Sequence, residues 1–250
     1  MLRVKIICFA FCLLAVAVPV AAEELLVSAA ASLTNAFKEI GAEFERTHSG
    51  AKVAFNFAAS DVLLRQIAEG APVDIFASAD QEAMDRADQE RIIDSSTRRN
   101  FAANRLVLAV PTDSLLTLGS LEDLKAGAVK RIAISQPGTV PVGRYAKAAL
   151  DKSKLWDRLA SKFIYTQNVR QSLDYLGRGE VDAGFVYSTD AAIMGDKVRI
   201  AFEVATPQPV LYPMAVVQRS KNPKLAREFV DMVCSPTGQA VLQKFGFARP

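Results

Sequence analysis

Residues 24–46 read Glu24-Leu-Leu-Val-Ser-Ala-Ala-Ala-Ser-Leu-Thr-Asn-Ala-Phe-Lys-Glu-Ile-Gly-Ala-Glu-Phe-Glu-Arg46. The apolar start predicts a strand from Glu24 to Ala29. Leu33, Phe37, Ile40 and Phe44 then recur at steps of four, three and four, so residues 33–46 are expected to form an amphipathic helix with its apolar stripe on a sheet. Ser32 is expected at the N-cap of that helix. A strand that passes through a turn of small residues straight into a helix is the building unit of layered α/β proteins with mostly parallel sheets.

The same grammar repeats along the chain. Strand Lys52 to Phe57 leads through Ala58-Ala59-Ser60 into a helix over Asp61 to Glu69, closed by Gly70. Val73 to Ser78 reads as a strand, Met84 to Asp88 as helical, and Asp94 to Asn104 as a polar segment before the apolar strand Arg105 to Val110. In the middle block, strand Arg131 to Ser135 is followed by a Gly/Pro loop, a helix over Val142 to Asp151 and strand Phe163 to Thr166. Asn168 caps a helix carrying Val169, Leu173 and Leu176, and strand Val181 to Tyr187 precedes a short helix over Ser188 to Met194. Strand Val210 to Gln218 and helices Pro223 to Cys234 and Gln239 to Phe245 complete the reading, and no internal repeat is convincing. With Leu106 to Val110 and Tyr212 to Val217 side by side, the chain would cross twice between two lobes. Residues 23–103 plus 206–250 would form the first lobe and 104–205 the second, with a ligand cleft between them.

Arg3 and Lys5, the apolar run Ile6 to Pro19 and the small residues Val20-Ala21-Ala22 predict a cleavable signal peptide over residues 1–22. No later stretch approaches the roughly 20 apolar residues of a membrane-spanning helix, so a soluble, exported chain without stable membrane insertion is expected. Cys8 and Cys12 leave with the signal and only Cys234 remains, which excludes an intrachain disulfide; a buried apolar role is expected for it. The formal charge falls from +3 to +1 without Arg3 and Lys5, and the remaining basic and acidic residues are interleaved. That argues against nucleic acid as a partner.

Four expected strand-to-helix turns carry the chemistry: Ala29 to Ser32, Ala58 to Ser60, Val140 to Gly143 and Gln167 to Val169. In open α/β sheets ligands collect beyond the carboxyl ends of strands, and helix N-termini there offer free N–H donors and a positive dipole end to an anion. Ser32 and Ser60 would add hydroxyl donors. Each residue also has a plainer reading: a serine there ordinarily caps its own helix, and Tyr187 at the end of an apolar strand is commonly a core tyrosine with a hydroxyl at the rim. Enzyme signatures are weaker. His48, the only histidine, sits in a polar, Gly-flanked loop after the first helix, so neither a histidine-dependent triad nor a multi-histidine metal site is expected. No nucleophile elbow, phosphate loop or dinucleotide fingerprint is present, and an enzyme is not expected.

At these turns the motifs Ser28-Ala-Ala-Ala-Ser-Leu-Thr34, Phe57-Ala-Ala-Ser60, Gly70-Ala-Pro-Val-Asp-Ile-Phe-Ala-Ser-Ala-Asp80, Val140-Pro-Val-Gly143-Arg-Tyr-Ala-Lys147, Asn168-Val-Arg170 and Gly184-Phe-Val-Tyr187 resemble the ModA family of periplasmic molybdate-binding proteins of ATP-driven importers. The likeness spans essentially the whole mature chain. It implies a two-lobed, type II-like periplasmic binding protein fold of class α/β, each lobe a mostly parallel mixed sheet flanked by helices. It implies capture of molybdate and tungstate, with sulfate, chromate or another tetrahedral oxyanion as the alternative, and delivery by a monomer to a membrane permease. Carried over position by position, the resemblance places the ligand contacts at Ser32, Ser60, Val142, Val169 and Tyr187, with backbone contributions from Ala31 and Ala59. Molybdenum would enter only as the bound oxyanion, with no protein ligand to the metal and no cofactor. Val142 stands where the family commonly has alanine, Asn168 where aspartate is frequent, and Asp61 where a neutral residue often follows the serine; its carboxylate is expected to turn away from the ligand.

Overall fold

The computed structural model describes residues 23–250; the expected signal peptide lies outside the described residues. Strand β1 (Glu23–Ala30) passes through a 3-10 turn (Ala31–Leu33) into α1 (Thr34–Thr47), and β2 (Ala51–Ala58), α2 (Ser60–Ala68), β3 (Ile75–Ala77) and α3 (Gln81–Gln89) follow. Then come β4 (Arg99–Asn104), β5 (Leu106–Pro111), β6 (Ile132–Ser135), α4 (Pro141–Lys152), α5 (Trp156–Leu159), β7 (Phe163–Thr166) and α6 (Val169–Gly177). The chain ends with β8 (Ala183–Tyr187), α7 (Ser188–Ile193), β9 (Val198–Glu203), β10 (Val210–Val216), α8 (Pro223–Cys234) and α9 (Pro236–Lys244).

These strands form two five-stranded sheets, ordered β2-β1-β3-β10-β4 and β7-β6-β8-β5-β9. In the first, β1 is parallel to β2 and β3, while β10 is antiparallel to β3 and β4. In the second, β6 is parallel to β7 and β8, while β5 is antiparallel to β8 and β9. Each sheet thus has four strands in one direction and one reversed strand at the fourth place. The two lobes share a topology that the sequence did not show as a repeat, because strand order leaves no periodic residue signature.

The expected pairing of residues 106–110 with 212–217 does not occur. β10 lies between β3 and β4, and β5 lies in the other sheet between β8 and β9. What crosses from lobe to lobe is the continuous extended run of β4 and β5, separated only by Arg105, and the return segment between β9 and β10. The reason is burial. All six residues of β5 are buried, and so are six of the seven of β10, so each needs covered faces and a neighbour on each edge, which the interiors of the two sheets supply separately. β4, read as a polar segment, is a strand because Phe101 and Ala102 face the first core while Arg99 and Asn100 stay exposed. β9 was missed likewise; it is an edge strand with one fully buried residue, Val198.

The helices cover the sheets as their apolar spacing predicts. α1 buries Phe37, Ile40 and Phe44, and Phe37 and Phe44 meet Phe229 of α8 with ring centroids 6.1 and 5.2 Å apart. Gly70, with φ of +99°, closes α2 in the left-handed conformation that glycine adopts without steric cost. Cys234 departs from expectation: it is exposed at the end of α8, because its neighbour Val233 takes the core-facing position. No helix among the described residues is long and apolar enough to cross a membrane.

Candidate functional site

The turns after β1 and β2 and the starts of α4 and α6 come together in one cavity of about 220 Å³, its opening included. Ala30 to Ser32 and Ala58 to Ser60 line it from the first lobe, Val140 to Val142, Asn168 and Val169 from the second, and Ala79 and Tyr187 complete the wall. All seven residues expected at the ligand therefore lie in the lining.

Ser32 does not cap α1. It sits inside the 3-10 turn, and the helix begins at Thr34, whose hydroxyl donates to the Ala31 carbonyl at 2.7 Å and whose N–H bonds the same oxygen. That tight turn uses the backbone to start the helix and leaves the Ser32 hydroxyl for another partner, the Tyr212 hydroxyl at 3.0 Å. Ser60 is not a cap either. It is the first residue of α2, the cap position is Ala59 with no side-chain bond, and the Ser60 hydroxyl accepts the Ala79 N–H at 3.1 Å. A backbone N–H can only donate, so the Ser60 proton is free to point elsewhere. The capping explanation, reasonable for each serine alone, fails for both.

Val142 and Val169 are 1% and 4% exposed and contribute their backbones. Their N–H groups lie in the first turns of α4 and α6, where a helix offers no acceptor of its own. Pro141 occupies the first position of α4, where a missing N–H costs nothing. Gly143 lets this helix start so close to β6: a Cβ on it would come within 2.1 Å of the Ser135 carbonyl oxygen. At α6 the Asn168 side chain accepts the Gln171 N–H at 3.1 Å, so it caps the helix as expected.

Tyr187, the last residue of β8, is 1% exposed, and its hydroxyl has no hydrogen-bond partner among the described residues. A buried polar group without a partner is costly and uncommon. Burial, assisted by the nearby Tyr212, pushes its pKa well above the usual tyrosine value, so the phenol stays protonated and is a donor. Ser32, Ser60, Tyr187 and the first-turn amides thus place neutral groups able to donate in the lining of one cavity.

No charged side chain is part of the lining among the described residues. Two arginines, which the sequence reading did not single out, stand directly behind it and span the lobes. Arg144, two residues after Val142, donates to Asp80 through Nε at 2.8 Å and to Asp61 through Nη2 at 2.7 Å. Asp61 also pairs with Arg86, so its carboxylate turns to arginines rather than into the cavity, as expected. Arg170, immediately after Val169, donates to the Ser32 carbonyl at 3.2 Å and to Asn35 at 3.0 Å. Its Nε lies 2.7 Å from Asp190, a fully buried carboxyl whose pKa burial raises to about 6, with Arg170 opposing the rise. The signal that could have found both arginines is their place in the chain, directly behind residues expected to give amide donors.

His48, the one histidine, is outside the cavity, stacked on Phe44 with ring centroids 3.9 Å apart.

The comparisons with known proteins agree with this architecture. The model of the bacterial extracellular solute-binding protein family matches residues 25–248. The chain is similar to the molybdate-binding protein ModA of Escherichia coli, at 38% identity over 90% of this chain and 88% of that protein. It is similar to the ModA of Haemophilus influenzae, at 32% identity over 91% of each. In three dimensions it resembles the periplasmic molybdate-binding protein of Azotobacter vinelandii with a TM-score of 0.79, at 22% identity over 90% of this chain and 99% of that one, a likeness of fold. The family match takes in nearly every described residue, both sheets and all four turns that line the cavity: the chain belongs to the bacterial extracellular solute-binding proteins.

Proposed function

We propose that this protein captures molybdate, and tungstate with it, in the periplasm and delivers it to the membrane permease of an ABC importer. The observation that carries the reading is the cavity: helix starts from both lobes and three neutral hydroxyls converge on a small space whose lining holds no carboxylate. Such a lining suits a fully deprotonated tetrahedral dianion. An anion that keeps a proton, as phosphate does, would need an acceptor to receive it. First-turn amides and helix dipoles supply the positive potential without a charged side chain.

In this reading Ser32, Ser60 and Tyr187 donate through hydroxyls and Val142 and Val169 through backbone N–H groups, with further amides from Ala31 and Ala59. The lobes, residues 23–103 plus 206–250 and residues 104–205, close on the anion as a monomer, and Arg144 and Arg170 hold them together. In this reading the site binds its anion and releases it unchanged, as a receptor does. Calorimetric titration of the mature chain with molybdate, tungstate, chromate, sulfate and phosphate tests this. Tight binding of molybdate and tungstate at a stoichiometry of one, with weak or absent phosphate binding, is expected. Sulfate binding as tightly as molybdate would overturn the assignment of the anion.

A further inference from the structure

Asn104 is the last residue of β4, at the point where the chain leaves the first lobe for the second, and its side chain is buried. The Arg105 N–H lies 2.8 Å from Asn104 Oδ1, and the Ser188 hydroxyl lies 3.0 Å from the same atom. A backbone N–H can only donate, so this contact decides which end of the amide is oxygen. The Nδ2 end therefore faces Thr189 Oγ1 at 2.9 Å and Tyr212 Oη at 3.2 Å and donates one proton to each.

Tyr212 is fully buried, and burial keeps its phenol protonated by raising its pKa well above the usual value. With Asn104 as its donor, the single Tyr212 proton goes to its other neighbour, Ser32 Oγ, at 3.0 Å. Ser32 then accepts from Tyr212, and its own proton points away from Tyr212 toward the cavity it lines.

We propose that Asn104 and Tyr212 are positioning residues, a directed hydrogen-bond relay that begins at the crossing between the lobes and sets Ser32 as a donor to the bound anion. The proposal rests on the anion-binding reading of the cavity and adds two residues outside its lining. Donation into Ser32 oxygen also polarises its O–H bond, which strengthens the bond that the hydroxyl makes to a negative ligand. Were the relay reversed, Ser32 would spend its proton on Tyr212 and present only lone pairs to an anion.

The test is a double-mutant cycle read by calorimetry with molybdate: the native chain, Tyr212→Phe, Ser32→Ala and the double variant, each checked for folding by circular dichroism. Tyr212→Phe is expected to weaken binding about three- to tenfold, the range of one neutral hydrogen bond, and to weaken it less than 1.5-fold when Ser32 is already alanine. An unchanged affinity in Tyr212→Phe, or the same loss in both backgrounds, overturns the relay. If the native chain binds no tetrahedral oxyanion, the reading of the cavity fails and the relay with it. Should Tyr212→Phe not fold, Asn104→Ala takes its place in the cycle: it keeps the phenol but frees its direction, and a two- to fivefold loss that needs Ser32 is expected, whereas none overturns the proposal.

Discussion

Ser60→Ala separates two roles that one hydroxyl plays at once. The Ser60 oxygen accepts the Ala79 N–H at 3.1 Å in a fully buried place. Removing it leaves that N–H without its partner, and an unsatisfied buried donor costs about 1–3 kcal/mol of stability. In the complex the Ser60 proton is assigned to the anion, and a hydrogen bond to a charged group contributes about 1.5–3 kcal/mol, or roughly a 10- to 150-fold change in affinity. The two losses fall on different measurements. Urea unfolding without ligand reads the first, and titration with molybdate reads the second. They combine in thermal shift assays: at 1,000 times the native Kd the native protein gains about 4 kcal/mol from ligand, while a variant bound 30-fold more weakly gains about 2 kcal/mol at the same concentration. A folded Ser60→Ala protein whose Kd stays within threefold of native would refute the donor role and leave Ser60 as a brace for the loop before α3.

Tyr187→Phe should behave with the opposite sign on stability. Its hydroxyl has no partner among the described residues, so the ligand-free chain is expected to keep or slightly raise its Tm while molybdate affinity falls about 10- to 150-fold; a clear fall in the ligand-free Tm would contradict this. Arg144→Ala leaves Asp61 and Asp80 without their partner across the cleft. Since an open cleft rehydrates them and a closed one does not, the penalty falls on closure, and molybdate affinity is expected to drop about tenfold or more although Arg144 is not in the lining. Equal affinity would mean that the bridge is not coupled to closure. Asp190 gives a pH signature. Its pKa in the folded protein, raised to about 6, lies above the ordinary value near 4, so the native state takes up a proton first. This group's contribution to stability therefore rises as pH falls from about 6 to about 4. The native chain should gain on Asp190→Asn over that interval by up to about 2–3 kcal/mol in urea unfolding, and a difference that does not vary with pH would sink the reasoning.

The fold was legible where periodicity is strong. Leu33, Phe37, Ile40 and Phe44 placed α1 to within a residue or two, and the alternation of strand and helix placed most of β1 to β3 and β6 to β8. It failed at β4 and β9, because an edge strand with one buried face and charged residues such as Arg99 and Arg199 looks like a loop to any reading of apolar runs. It failed again on the pairing of residues 106–110 with 212–217. Two apolar, almost wholly buried strands are interchangeable in one dimension, and only their neighbours in the two sheets distinguish them.

The site divides in the same way. Sequence by itself determined which turns could line the cavity, because a turn between strand and helix has a fixed place at the carboxyl edge of a parallel sheet, and the resemblance to the ModA family singled out Ser32, Ser60, Val142 and Val169 in those turns and Tyr187 beyond them. Tertiary structure alone decided what each side chain does there. Whether a serine hydroxyl caps its helix, accepts from Ala79 or receives a proton from Tyr212 depends on atoms 19 to 180 residues away. The arginine bridges from Arg144 to Asp61 and Asp80, and the direction of the bonds through Asn104, arise in the same way. Hydrogen bonds act over about 3 Å in space, and chain order carries no record of which distant groups the fold brings within that reach.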